Sequence, residues 1–414
     1  MLIGIVALAL VAASCGSDDD GGASDTTAAG GGTATTVAGK ACSGDPIKIG
    51  QIVALTGQQT FPDLAAGARA AVEAENKECR LDRPLELVQC DGKNDPNAVA
   101  ECGRKMVSEG IVALVTSVDP AIDSALSIIY AAKIPHVANS ASSTLDSTSP
   151  LSYPINPAAM AQGYGVPSIG KALGRKSIVY VGPDVPGTEF LSGIVKRTAA
   201  DFGLQFKEVV RIPVDATDFA PYAQQAIATG ADVIQFAAGA AVEERFLNGL
   251  IDAGVDFEKT TVVVPLSTTT PALVKALGSD ADGVYVQGSQ WPLDDTSNEG
   301  IARMLKEMND AGEKDLGVAG ISGNTGVHVL ADILADLPTI DSASIVAALN
   351  KGYTVDRPEF GVSVWGTPAF PNDPALSQLR VFTKEISISR IKGGKITPVV
   401  DDFVDVTTDY KINK

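Results

Sequence analysis

From Asp45 onward, short runs of β-branched and other apolar residues alternate with longer amphipathic segments, and this alternation restricts the chain to folds built from βα units. Candidate strands run over 47–53, 85–89, 111–116, 136–138, 177–181, 206–212, 233–237, 261–265 and 283–287. Between them lie candidate helices over 63–76, 96–109, 121–132, 158–173, 188–202, 219–228, 241–253 and 270–277. Asp95 before Pro96 supplies a cap and a first-turn proline, and Gly254 and Gly278 stand where helices should stop. Strands apolar along nearly their whole length belong in parallel sheets covered on both faces. So many strands exceed one comfortable sheet, and the segment 144–157, rich in Ser, Thr and Pro, divides them, so two α/β lobes are expected. Beyond helices near 298–312, 324–336 and 342–350, the runs 385–391 and 396–400 flank Lys392-Gly393-Gly394-Lys395, a hairpin signal.

The N-terminal end has a different character. Its apolar run from Leu2 to Ala13 is shorter than the ~20 residues that span a bilayer and fits the core of a secretory signal. It closes on Val11-Ala12-Ala13-Ser14-Cys15, which resembles the lipobox of bacterial lipoproteins. That resemblance implies diacylation of Cys15 and anchoring on the outer face of the bacterial cytoplasmic membrane. No Lys or Arg precedes the run, a departure from the positive end such signals carry. Residues 16–44, dominated by Gly, Ser, Thr, Ala and Asp, read as a flexible tether reaching on the order of 25–30 Å.

Export also frames the cysteines. Setting Cys15 aside leaves Cys42, Cys79, Cys90 and Cys102, an even number in a compartment where disulfides persist, with three pairings open. Cys42 precedes the first strand, and Cys79 follows the helix that returns to that strand's starting edge. Cys90 ends the second strand, and Cys102 lies two turns into the next helix. Cys42–Cys79 and Cys90–Cys102 are therefore the expected bridges.

Charge and residue inventory narrow the chemistry. A formal charge of -18, from 50 acidic against 32 basic residues, repels phosphate backbones and argues against nucleic-acid binding. The two histidines, His136 and His328, fall in apolar surroundings and read as packed side chains rather than catalytic groups. Gly165 to Lys171 has the glycine and lysine spacing of a phosphate-binding loop, but Ala172 replaces the magnesium-binding hydroxyl and no strand leads in. Asp91-Gly92-Lys93-Asn94-Asp95 reads as a turn ending in a helix cap, not a calcium loop. No Gly-x-Ser-x-Gly elbow occurs. No enzyme activity, metal or cofactor is expected.

What the strand C-termini do offer is uncharged hydrogen-bonding groups, in the place where open α/β sheets bind ligands. Four sets converge: Leu55 to Gln59, Ser117 to Asp119, Asn139 to Ser143 and Leu266 to Thr269. Several precede helices, whose free N–H groups favour a ligand's anionic group.

These segments resemble the leucine/branched-chain amino-acid-binding proteins of ABC transporters. The likeness runs through Asp45-Pro46-Ile47-Lys48-Ile49-Gly50, Leu55-Thr56-Gly57 and Gly67-Ala68-Arg69-Ala70-Ala71-Val72 to Asn76. It continues in Leu85-Glu86-Leu87-Val88, Asp95-Pro96-Asn97-Ala98 and Ile129-Tyr130-Ala131-Ala132-Lys133-Ile134-Pro135, and weakens after Trp291. The resemblance implies an α/β type I periplasmic-binding fold: two doubly wound lobes joined by a hinge of three crossings. Residues 45–157 with 292–358 would form one lobe, and 158–291 with 359–414 the other. A small-molecule ligand would sit between lobes that close over it.

The same resemblance suggests a ligand set of Thr56, Phe61, Ser117, Asp119, Ala141 and Ser142 in the first lobe, with Asp184, Ser267, Thr268 and Trp291 completing it. Asp119-Pro120 replaces the serines with which the family grips a carboxylate, Pro186 replaces a tyrosine, and the neutral Ser267-Thr268 stands where an acidic partner for an amine is common. The expected function is an exported, membrane-anchored, monomeric substrate-binding lipoprotein handing a small polar, amino-acid-like solute to ABC permease subunits. A ligand-sensing subunit for a membrane receptor and a secreted α/β enzyme are the alternatives.

Overall fold

The computed structural model of the chain describes residues 42–413, apart from 58, 142, 158, 374 and 375. The lipobox with Cys15, most of the tether and Ser142 therefore lie outside the described residues. The first sheet is built from β1 (Ile47–Val53), β2 (Leu85–Asp91), β3 (Ala113–Val115) and β4 (His136–Val137), ordered β2-β1-β3-β4. Every pairing in it is parallel. Its connections carry α1 (Pro62–Glu78), α2 (Pro96–Glu109) and α3 (Asp123–Ala131). Asp95 caps α2 as its sequence predicts, its carboxylate accepting the N–H groups of Asn97 and Ala98 at 2.9 Å each. The dividing segment holds a short helix, α4 (Thr144–Thr148), started by the Ser143 hydroxyl accepting the Asp146 N–H.

After α5 (Ala159–Ala172) the chain enters a second, larger sheet. It runs through β5 (Ser177–Pro183), α6 (Pro186–Asp201), β6 (Gln205–Ile212), α7 (Ala220–Ala228), β7 (Val233–Phe236), α8 (Ala240–Asp252), β8 (Thr261–Pro265), α9 (Pro271–Leu277) and β9 (Tyr285–Gly288). The near match to a phosphate-binding loop lies inside α5. Helices α10 (Glu299–Asp310), α11 (Val318–Ala335) and α12 (Ser342–Leu349) follow. Next comes an antiparallel hairpin of β10 (Tyr353–Arg357) and β11 (Gly361–Trp365), which no turn dipeptide announces in the sequence. The chain then returns as β12 (Glu385–Lys392), β13 (Lys395–Pro398) and β14 (Val404–Asp405), giving the order β13-β12-β9-β8-β7-β5-β6 with β14 beside β12. Gly393 and Gly394, at φ of 57° and 74°, make the predicted β12–β13 turn.

Helix α11 begins at Val318, six residues ahead of its expected start, and the glycines in its first turns are packing residues. A Cβ at Gly323 would stand 2.0 Å from the Leu64 carbonyl oxygen, and one at Gly67 would stand 2.2 Å from that of Gly320. Backbone therefore meets backbone where α1 crosses α11. Among the described residues α11 is the one helix long and apolar enough to cross a membrane, yet it is mostly buried and serves as a core helix. The bridges Cys42–Cys79 and Cys90–Cys102 are present, with Cα separations of 5.3 and 5.7 Å.

Candidate functional site

The loop after β1 is tied down by Asp91. Its carboxylate accepts the Thr56 hydroxyl at 2.6 Å and the N–H groups of Leu55, Thr56 and Lys93 at 2.9 to 3.2 Å. Burial pulls the Asp91 carboxyl up, but these donors outweigh it and hold it below the usual carboxylate range. Phe61, half-buried at the start of α1, packs beside Val53, Leu64 and Ala65. It helps line an open groove of about 660 Å³ with Asp119, Pro120 and Ser143. Asp119 is 4% exposed, and its carboxylate accepts the N–H groups of Ala121 at 2.8 Å and Asn94 at 3.2 Å. It shapes the groove wall through its backbone partners. Ala141 is half-buried in the loop after β4.

Ser117 points inward. Its hydroxyl oxygen accepts the Ile52 N–H at 2.8 Å, and its own N–H donates to Nε2 of His136 at 3.2 Å. Because that N–H needs a lone pair on Nε2, His136 is the neutral Nδ1–H tautomer, donating to Asp146 Oδ1 at 2.9 Å. Ser117, His136 and Asp146 thus have the composition of a catalytic triad without its geometry. The serine meets the ring through its backbone N–H, and all three residues are buried.

On the second sheet, Asp184 is exposed, 3.6 Å from Arg211. Ser267 is exposed just past β8, while the Thr268 hydroxyl donates to Glu243 Oε2 at 2.5 Å. Glu243, at 0% exposure on α8, also accepts the Thr269 hydroxyl at 2.7 Å. Burial pushes its carboxyl up to about 7 against those two hydroxyls, which favour the ionised form. Trp291 is 5% exposed, donates its indole N–H to Asp295 at 2.8 Å and packs on Phe403 at 5.4 Å between ring centroids.

A cavity of about 290 Å³ opens between the loop after β4 and the ends of β8 and β9. Asn139, Ser140 and Asn156 line one side, with Ala161, Gln162, Pro265 and Ser267 opposite and Gln287 to Gln290 at its inner end. Of the sequence-derived ligand set, Ser267 is in this lining, Phe61 and Asp119 line the groove, and Thr56, Ser117 and Trp291 have their polar atoms occupied elsewhere. The carboxamides of Asn156, Gln162, Gln287 and Gln290 escaped the sequence reading. Their readable signal is a glutamine set inside an apolar strand, as in Tyr285-Val286-Gln287-Gly288.

Among curated proteins no sequence match is found. Solved structures do share the fold. A solute-binding protein of an ABC transporter from R. palustris, in complex with 4-hydroxybenzoate, aligns at a TM-score of 0.67 and 19% identity, covering 88% of this chain and 99% of that one. Another from Rhodopseudomonas palustris HaA2, with p-hydroxybenzoic acid, aligns at 0.68 and 19%, covering 87% and 98%. A structure from Rhodopirellula baltica, named as a possible leucine/isoleucine/valine-binding protein, aligns at 0.65 and 16%, covering 90% and 99%. The α/β sheets described above are those of the type I periplasmic-binding fold. The family model described as "Periplasmic binding protein" matches residues 46–374, most of the chain, and on that match the chain belongs to the periplasmic binding protein family.

Proposed function

We propose that this chain is the solute-capturing lipoprotein of an ABC importer, held outside the cytoplasmic membrane through Cys15 as a monomer. It takes up a small polar solute of amino-acid, amide or urea type and delivers it to membrane permease subunits. The observation that carries this reading is the cavity bordered by loops from both sheets, Asn139 and Ser140 on one side and Ser267 and Gln287 on the other. A solute touching both sides would supply the free energy for two lobes, 45–157 with 292–358 and 158–291 with 359–414, to close. Ser267 lines the cavity and Phe61 the neighbouring groove. Ala141, Ser142 and Asp184 complete the set that the family resemblance suggests, and Thr56, Ser117, Asp119, Thr268 and Trp291 hold the loops behind them. The hydroxybenzoate complexes of the two R. palustris proteins add small aromatic acids to the solutes worth testing.

A thermal-shift screen of amino acids, amides, urea and aromatic acids tests the reading. A solute at a hundred times its Kd adds about 2.7 kcal/mol to stability, a shift that the melting temperature reports. A chain whose melting temperature responds to no solute contradicts solute capture. For a solute that does bind, calorimetry on Ser142→Ala and Phe61→Ala tests the two residues that the family resemblance names, and unchanged affinity in both removes them from the site.

A further inference from the structure

The inner end of the cavity carries buried acceptors that the protein leaves unpaired. Gln287, 2% exposed on β9, donates its Nε2–H to the Gly288 carbonyl at 3.0 Å, which fixes the orientation of its carboxamide. Its Oε1 then has no partner. Gln235, 1% exposed on β7, is fixed in the same way by donation to the Gln162 carbonyl at 3.2 Å, and its Oε1 is also unpaired. Oε1 of Gln162 on α5 is a third such atom. Strand register aligns Gln235 with Val263 and Val263 with Tyr285, so Gln287, two residues beyond Tyr285, shares their face of the sheet. Helix α5 covers that face: a Cβ on its Gly165 would lie 3.3 Å from Gln287 Cδ.

The first sheet shows that such oxygens need not be left over. Gln51, fully buried in β1, accepts from Gln89 Nε2 at 2.7 Å and donates to the Thr116 hydroxyl at 3.2 Å. Buried acceptors are paired in the great majority of cases, so the unpaired oxygens of Gln162 and Gln287, which line the cavity as Gln235 does not, point to an occupant that brings donors. Among the described residues, no side chain lining the cavity carries a charge. A carboxylate placed there would bring only acceptors to acceptors, and an ammonium would lose water without gaining a counter-charge.

We propose that the inner end of the cavity is a carboxamide-lined subsite for an uncharged group bearing paired N–H or O–H donors, received by Gln162 and Gln287. The inference rests on the reading of the cavity as the solute site and narrows the solute's anchoring group to a neutral one. An amide or urea nitrogen and a polyol hydroxyl pair share this chemistry.

Calorimetry on the full chain with matched probes separates the cases. Benzamide is compared with benzoate, 4-hydroxybenzamide with 4-hydroxybenzoate and isovaleramide with isovalerate, while erythritol and xylitol form the hydroxyl arm. The expected result is binding of at least one neutral probe, with any matched carboxylate at least tenfold weaker. Gln162 makes no side-chain hydrogen bond among the described residues, so Gln162→Leu should fold normally. It should weaken the neutral probe about three- to tenfold at an unchanged melting temperature. Gln287→Leu should weaken the probe similarly, but it also removes the bond to Gly288, which is why Gln162→Leu is the deciding variant. A carboxylate binding as tightly as its amide, silence from every neutral probe, or full affinity in Gln162→Leu overturns the subsite. A carboxylate that binds alone does so while leaving solute capture standing; silence throughout the broader thermal-shift screen removes solute capture itself.

Discussion

The Thr268 hydroxyl sits 2.5 Å from Oε2 of Glu243, joining a loop at the cavity edge to a carboxyl group at 0% exposure. Thr269 meets the other oxygen of the same carboxyl at 2.7 Å, and its hydroxyl is also 2.8 Å from the Pro265 carbonyl. One hydroxyl has one proton and cannot donate to both. When Glu243 takes up a proton it can donate to Thr269 instead of accepting from it, which leaves that hydroxyl's own proton for Pro265.

Glu243 should accordingly make stability depend on pH. Its folded carboxyl titrates at about 7 against an ordinary 4.5, so the folded state holds a proton there that the unfolded chain has lost. Its contribution is complete below about pH 4.5 and disappears as pH rises through 7. At about 1.4 kcal/mol per unit, the total is on the order of 3 kcal/mol. Glu243→Gln keeps the neutral shape and should flatten that part of the profile. Urea unfolding of both proteins at pH 5 and pH 8 measures the difference, and parallel profiles would exclude Glu243 as the titrating group.

A second buried titration site lies where α1, α10 and α11 meet. His328 Nδ1 is 2.6 Å from Glu75 and its Nε2 is 2.9 Å from Glu307. Burial lowers the imidazole pKa, but hydrogen bonds to Glu307 and Glu75 outweigh it and raise the value above the ordinary 6.5. A raised histidine stabilises the fold fully below pH 6.5, and the contribution is lost as pH rises through the folded value. His328→Ala removes the partner shared by the buried Glu75 and the partly buried Glu307, which keep Arg80 and Asn324 respectively, and should cost about 1–3 kcal/mol near pH 6. The gap between wild type and variant, followed by chemical denaturation, should shrink at pH 9.

The α1–α11 crossing gives a steric prediction. Gly67→Ala and Gly323→Ala each place a methyl group within about 2 Å of a carbonyl oxygen, which the helices can relieve only by moving apart. A cost of about 1–3 kcal/mol or more is expected for each. Gly193, inside α6 with open space where its Cβ would stand, is the control. Gly193→Ala should be neutral or stabilising by about 0.5–1 kcal/mol. Equal melting temperatures for Gly67→Ala and Gly193→Ala would show that the helices do not touch there.

Much of the fold was legible because local signals and tertiary needs agree. The strand Thr261–Pro265 lies where its apolar run stands, and the cap at Asp95 and the turn at Gly393-Gly394 do as their residue types require. The disagreements have physical causes. Helix α11 starts six residues earlier than expected because Gly320 and Gly323, poor helix formers on their own, let a second helix pass close. The β10–β11 hairpin closes through Gly361 at φ 70° and is secured by Trp365, whose indole donates to the Pro154 carbonyl 211 residues away. Nothing in its own segment encodes that partner.

The candidate site divides along the same line. The sequence by itself determined that uncharged hydrogen-bonding groups would gather at strand ends and that imidazole or metal chemistry had few residues to work with. It could not distinguish a free hydroxyl from a spent one: Ser117 looks available until the Ile52 N–H, 65 residues away, is placed on it. The glutamines make the same point. Gln51, Gln235 and Gln287 all sit within apolar strands, yet the first is saturated by residues 38 and 65 positions away and the other two keep an unpaired oxygen. Strand periodicity sets which face a side chain takes, whereas hydrogen-bond partners come from whichever strand or helix packs alongside, and only the tertiary structure decides that.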